Sequence, residues 1–252
     1  LLYVAEALAL ACLGRLEEGA ALAAAGYERA LISDDAAGWA FFAQARGLVA
    51  LEQGRLGEAI RWWTEASGLF RVVNHHGPWG WSLLGLTLAH AMQGEVGAAD
   101  AALSEEANLD HPADFHGVNR HRARAWLAVA KGHPADARAH LECGVDLAGE
   151  RGEWPMLTTA MHDLARLGHV DAAVAASARL PEGDLGSIAA ARAQHVVGLA
   201  AGDLAAIGAA ADAFGEVGAD LLAAEAAFGL AADHRRRGSP REATAWTRKA
   251  AE

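Results

Sequence analysis

Apolar positions along this chain fall into long, alanine-rich runs. One punctuation breaks them at regular intervals: a glycine, then a polar or basic residue, then Leu, Val or Pro. It occurs at Gly14-Arg15-Leu16, Gly54-Arg55-Leu56, Gly94-Glu95-Val96, Gly132-His133-Pro134, Gly168-His169-Val170, Gly202-Asp203-Leu204 and Gly238-Ser239-Pro240. Successive glycines stand 40, 40, 38, 36, 34 and 36 residues apart. Five positions after them come Gly19, Ala59, Ala99, Ala137, Ala173, Ile207 and Ala243, small in six of the seven. Glycine ends a helix in the left-handed conformation that only it adopts cheaply. The residue two positions on then opens the next helix, and the small residue lets the paired helices approach. Pro134 and Pro240 suit a first helical position, and Ser239 suits an N-cap. Pro78, Pro112, Pro155 and Pro181 fall between the hairpins so drawn, and none of the six prolines interrupts a helix interior.

The pattern predicts seven helical hairpins near 1–32, 37–73, 79–108, 116–150, 156–180, 186–216 and 219–252. First helices are expected near 1–13, 37–53, 79–93, 116–131, 156–167, 186–201 and 219–237. Second helices are expected near 16–32, 56–73, 96–108, 134–150, 170–180, 204–216 and 240–252. A lone hairpin cannot bury its apolar face, so neighbours stack into a continuous core. The expectation is an all-α chain, 1–252 forming a single right-handed α-solenoid with a concave surface.

The period and the glycine punctuation resemble the tetratricopeptide repeat, normally 34 residues. Trp63 and Phe214 stand at aromatic positions of that repeat, which this chain mostly fills with Ala or Leu. A second resemblance lies in the last quarter. The phrase from Phe214 to Ala227, followed by His234-Arg235-Arg236-Arg237-Gly238, is similar to the repeat segment preceding the DNA-binding domain in large ATP-binding regulators of the LuxR family, actinobacterial ones especially. That resemblance implies a helical-repeat sensor between a nucleotide-binding switch and a helix-turn-helix. No Gly-x-x-x-x-Gly-Lys phosphate loop is present, so ATP hydrolysis and operator binding are not assigned to these residues. The chain reads as a piece of a larger cytoplasmic protein.

Composition sharpens this picture. Alanine supplies 64 of 252 residues and aromatics 6%, a helix-forming balance. The net charge of -11 argues against nucleic-acid binding by the domain alone, since phosphate contacts rely on Lys and Arg. From His234 to Glu252, however, six basic residues face two acidic ones, and a solvated helix end explains them best. No apolar run of about 18 residues without charges suggests a membrane span. Cys12 and Cys143 are too far apart for a disulfide framework and sit in apolar contexts where a thiol is inert.

In tetratricopeptide arrays the first helices line the concave groove. That frame, anchored on the hairpin glycines, nominates Phe41, Gln44, Trp81, Asn119, Arg122, Trp126, Thr158, His162, Arg166 and Arg192 as groove residues, with Arg235 and Arg236 at a basic end. Aromatics with a few donors suit a small ligand or a partner segment; plain core packing is as good a reading for Trp81 and Trp126. Trp62 and Trp63 fall on adjacent helix faces, so one is expected to be buried and the other partly exposed. His111, His116 and His121 are spaced by five, not by the three or four that a shared metal prefers, and no metal or other cofactor is expected. No Gly-x-Ser-x-Gly elbow or catalytic carboxylate pair appears, so no enzyme is read. The function expected is a sensing module that couples a small effector or protein partner to a separate DNA-binding domain. The alternative is a protein–protein scaffold or a self-association module without a small ligand.

Overall fold

The structure is a computed structural model that describes residues 2–110 and 116–251. Fourteen α-helices and no strand occur among the described residues. They are α1 (Leu2–Leu13), α2 (Leu16–Ile32), α3 (Ala36–Glu52), α4 (Leu56–Val72), α5 (His76–Met92), α6 (Val96–Ala107), α7 (Gly117–Ala130), α8 (Pro134–Arg151), α9 (Trp154–Arg166), α10 (Val170–Ser177), α11 (Ser187–Ala201), α12 (Leu204–Glu216), α13 (Asp220–Arg236) and α14 (Pro240–Lys249). No helix among the described residues is long and apolar enough to cross a membrane.

The glycine punctuation sits where the sequence puts it. All seven of these glycines have positive φ, from 61° at Gly202 to 85° at Gly14 and Gly168. Each therefore closes one helix two residues before the next begins. The residue five positions on is buried in every case, from Gly19 to Ala243. A second set of left-handed residues joins one pair to the next: Asp34, Asn74, Gly152 and Gly218. Asp and Asn tolerate this conformation better than other side chains.

Some local expectations change. Pro78 and Pro155 lie in the first turns of α5 and α9 rather than between helices. The N–H groups of a first turn have no intrahelical partner, so proline costs nothing there. Pro112 lies outside the described residues. Ser239 occupies the N-cap of α14, but its hydroxyl makes no capping bond. The side chains that do cap are Asp35, accepting from Gly38 N, and Asp203, accepting from Ala205 N and Ala206 N. Cys143 is exposed, not in an apolar setting, because it faces outward on α8. Cys12 is largely buried, and desolvation with the nearby Glu52 carboxylate raises its thiol pKa to about 11.

First helices run side by side, α1 with α3, α3 with α5, α5 with α7, α7 with α9 and α9 with α11. Each second helix packs against the first helix of its own pair and that of the next. The row of first helices then comes round on itself: α1 touches α11. Ser187 Oγ donates to Leu13 O at 3.1 Å across this seam. Ala11, Leu16 and Val49 share a buried cluster with Ile188, Phe214, Leu222 and Ala226. Gly14 and Gly54 make the approach feasible, since a Cβ would meet Ser187 at the first and Leu221 at the second.

Candidate functional site

The first helices carry polar residues on the face they turn toward one another. In α7 and α9 the hydrophobic spacing leaves Arg122, Thr159, His162, Asp163 and Arg166 amid Ala, Leu and Met, all of them largely buried. From across the fold come Glu52, the last residue of α3, Arg192 and His195 of α11, and Glu225 of α13.

These side chains form two neighbouring sets of ion pairs. Asp163 accepts from Arg122 Nε at 2.9 Å and from Arg166 Nη1 at 2.9 Å. Arg166 also grips Glu225 with both arms, Nε and Nη2 each 2.7 Å from a different carboxylate oxygen. Arg192 Nη1 donates to Thr159 Oγ1 at 2.8 Å, and Nη2 donates to Glu52 at 2.5 Å. Three arginines thus face three carboxylates, two of them enclosed and the third, Glu225, 40% exposed. Burial opposes ionisation of Asp163, but Arg122 and Arg166 outweigh it and hold its pKa below the usual carboxylate range. Burial likewise disfavours the Arg166 cation, and Glu225 and Asp163 more than compensate. The Trp126 ring supports Arg166, whose guanidinium carbon lies 4.5 Å from the ring centroid.

Beside these ion pairs two imidazoles pair, His162 Nε2 and His195 Nδ1 being 2.9 Å apart. Both rings pack on Phe214. Desolvation, then the facing His195 and the arginines, push the His162 pKa well below its ordinary value. Desolvation drops His195 to about 4, with Arg166 adding to the effect and Glu225 opposing it. The pair is therefore neutral at neutral pH, one nitrogen donating and the other accepting.

A cavity of about 30 Å³ lies among these groups, room for a water or two. Arg122, Thr159, Arg192 and the apolar Met92, Leu221 and Leu222 line it. Arg192 Nε is buried without a hydrogen-bond partner.

Of the ten residues nominated from sequence, Arg122, His162, Arg166 and Arg192 meet around this cavity, with Trp126 under Arg166. They are engaged with internal partners, so the face the repeat frame offers as a groove is filled at this point by the chain's own α3, α11 and α13. Thr158 is buried on the same helix but turns its hydroxyl back to Pro155 O at 2.9 Å. Asn119 is half-buried on α7 and lies apart from the cavity. Phe41, Gln44 and Trp81 belong to other places. Phe41 packs edge-on against Phe70 and His75. Gln44 is 2% exposed and donates to Pro78 O and Ser82 Oγ. Trp81 stacks on His116 at a 5.6 Å centroid separation. Arg235 and Arg236 are exposed at the end of α13, bonded to Thr247 and Asp233.

Sequence reasoning missed Glu52, Thr159, Asp163, His195 and Glu225. Two carried a signal. Asp163 is a carboxylate amid the apolar residues of a helix interior, where burial without a partner is costly. Glu52 ends a helix, where the macrodipole disfavours an acid. His111 lies outside the described residues, and among the described ones no group of three or more His, Cys, Asp or Glu could hold a metal ion. No family model matches this chain, and no curated protein matches it.

Proposed function

We propose that the chain is a ligand- or partner-sensing helical-repeat module, a right-handed, tetratricopeptide-like α-solenoid of about seven hairpins, of the kind found in LuxR-type transcriptional regulators. The inner face of its first helices takes the effector. Binding there changes how the two ends of the array meet, and the ends pass that change to a separate DNA-binding domain. The observation that carries the reading is the ion pairing of Arg122, Asp163 and Arg166 with Glu225, and of Arg192 with Glu52, all of them largely buried except Glu225. A buried ion pair contributes little net stability compared with well-packed apolar residues. Gathering such pairs on the inner face, where α7 and α9 meet side chains of α3, α11 and α13, suits a surface that exchanges partners. A ligand with different affinity for the closed and opened arrangements shifts their populations.

The test is a thermal-shift screen of the chain against metabolites and against peptides, with Arg122→Ala and Trp126→Ala as controls. A true ligand raises the midpoint with concentration. Both variants should weaken the response; an unchanged response at unchanged stability overturns the inner-face reading. The regulator assignment has its own check in the gene. A phosphate-loop domain encoded upstream and a helix-turn-helix downstream are expected, and the lack of both removes the LuxR reading.

A scaffold or self-association module is the second reading. Ile32 at 88% exposure and Val72 at 83%, each at the end of a second helix, favour it. Light scattering decides: a mass that doubles with concentration supports self-association, and a constant monomer mass excludes it.

A further inference from the structure

The small cavity among the ion pairs has an uneven wall. Three guanidiniums line it, those of Arg122, Arg166 and Arg192, against only two carboxylates, those of Asp163 and Glu52. The arginine side chains are 8%, 7% and 6% exposed. Asp163 serves two of them at once, accepting from Arg122 Nε and Arg166 Nη1, each at 2.9 Å. Glu225 is not part of the wall and is 40% exposed, so water weakens its reach into the cavity. The neighbouring His162 is neutral. The wall therefore carries one positive charge in excess.

That excess lies at Arg122. Its Nε is bonded to Asp163, but among the described residues its two terminal nitrogens have no hydrogen-bond partner. An enclosed cationic donor without an acceptor is costly, and so is an enclosed charge without its counter-charge. The space beside it sets the size of what can answer both needs. About 30 Å³ holds a water or two and no organic molecule. Met92, Leu221 and Leu222 supply an apolar side, which suits a soft, weakly hydrated ion.

We propose that the cavity is a site for one monatomic, monovalent anion of halide type, with chloride as its occupant in ordinary salt solution. The ion accepts from the terminal N–H groups of Arg122. A water satisfies the same donors and leaves the excess charge in place; a halide satisfies the donors and removes the excess. The ion also separates Arg122 from Arg166 and Arg192, and so braces the place where α7, α9 and α11 meet Glu52 of α3. This site does not depend on an effector binding the inner face.

The experiment is a melting series at neutral pH in mixtures of sodium chloride and sodium gluconate at constant ionic strength, gluconate being too large for the cavity. The midpoint should rise as chloride replaces gluconate, as it does for any ligand that only the folded state binds, and bromide should act in the same way. Arg122→Met keeps the length of the side chain and removes the donors. It should weaken chloride binding at least about tenfold, the worth of one charge-assisted contact. Glu52→Gln takes an acid from the wall and should tighten binding by about the same factor. Bromide soaked into crystals of the wild-type chain gives a readout independent of stability: its anomalous scattering should place the ion beside Arg122. A midpoint indifferent to chloride, a chloride effect that survives Arg122→Met, or a cavity holding only water in the bromide crystal overturns the proposal. If Arg122→Met does not fold, the bromide position and the Glu52→Gln comparison decide.

Discussion

Trp62 and Trp63 show how far a side chain's neighbours control its fate. Adjacent positions on α4 suggest one buried indole and one partly exposed. Both are buried, at 7% and 1% exposure. Trp63 is enclosed because Gly47 and Gly85 leave room for its ring; a Cβ would come within 2.7 Å at the first and 2.5 Å at the second. Trp62 is covered by arginines, with Arg46 at 3.7 Å and Arg61 at 4.2 Å from its ring centroid and Tyr27 edge-on. Stacked guanidiniums cover an indole as well as apolar groups do. Gly85→Ala should therefore destabilise the fold by about 1–3 kcal/mol through overpacking, despite alanine's better helix propensity. Gly229→Ala on α13, where a Cβ meets nothing within 4 Å, should instead stabilise by roughly 0.5–1 kcal/mol. Urea unfolding of the two variants measures both, and equal signs would contradict the packing argument.

At the scale of elements, helix ends were legible and helix partners less so. Glycine at a C-terminus and proline at an N-terminus are local necessities of the backbone, so α2, α4, α8 and α12 start where the punctuation places them. What each helix faces depends on residues far away. Arg166 is an unremarkable basic residue at the end of α9 until α13 brings Glu225 to it, 59 positions later. Arg192 is likewise explained only by Glu52, 140 positions earlier. Buried and exposed ion pairs should then differ in consequence. Asp163→Asn leaves Arg122 without its carboxylate and should cost about 3–5 kcal/mol, the loss expected when one partner of a buried pair goes. Glu18→Gln, which breaks the exposed pair with Arg15, should leave stability almost unchanged. Chemical denaturation of both variants checks the contrast.

The whole molecule has a predicted response to acid. His162 and His195 are kept neutral in the folded protein, the second with a pKa of about 4 against an ordinary 6.5. Between these values the unfolded chain binds protons that the folded chain refuses, so stability falls as the pH drops from 6.5 toward 4. His195 alone would account for up to about 3 kcal/mol of that loss. Asp163, held ionised by Arg122 and Arg166, adds a further loss as the pH falls below the ordinary carboxylate range. Melting temperatures followed from pH 7.5 to 4 should decline in that order. His195→Asn should flatten the upper part of the curve, and an unchanged slope in that variant would contradict the buried-pair account.

The sequence by itself determined the helical class, the helix ends and the close contacts within pairs. These are short-range matters: a left-handed glycine, a proline without an N–H and a small residue five positions on act through neighbouring turns. The resemblance to the tetratricopeptide frame nominated Arg122, His162, Arg166 and Arg192 among ten inner-face residues, and those four line one cavity. Only the tertiary structure decided what meets that face. The approach of α1 to α11, of Glu52 on α3 to Arg192 on α11 and of Glu225 on α13 to Arg166 on α9 depends on how all the intervening helices pack. No local pattern encodes that packing. That closure turns a row of inward arginines into two neighbouring sets of ion pairs around a small cavity, with Glu225 as the most exposed carboxylate.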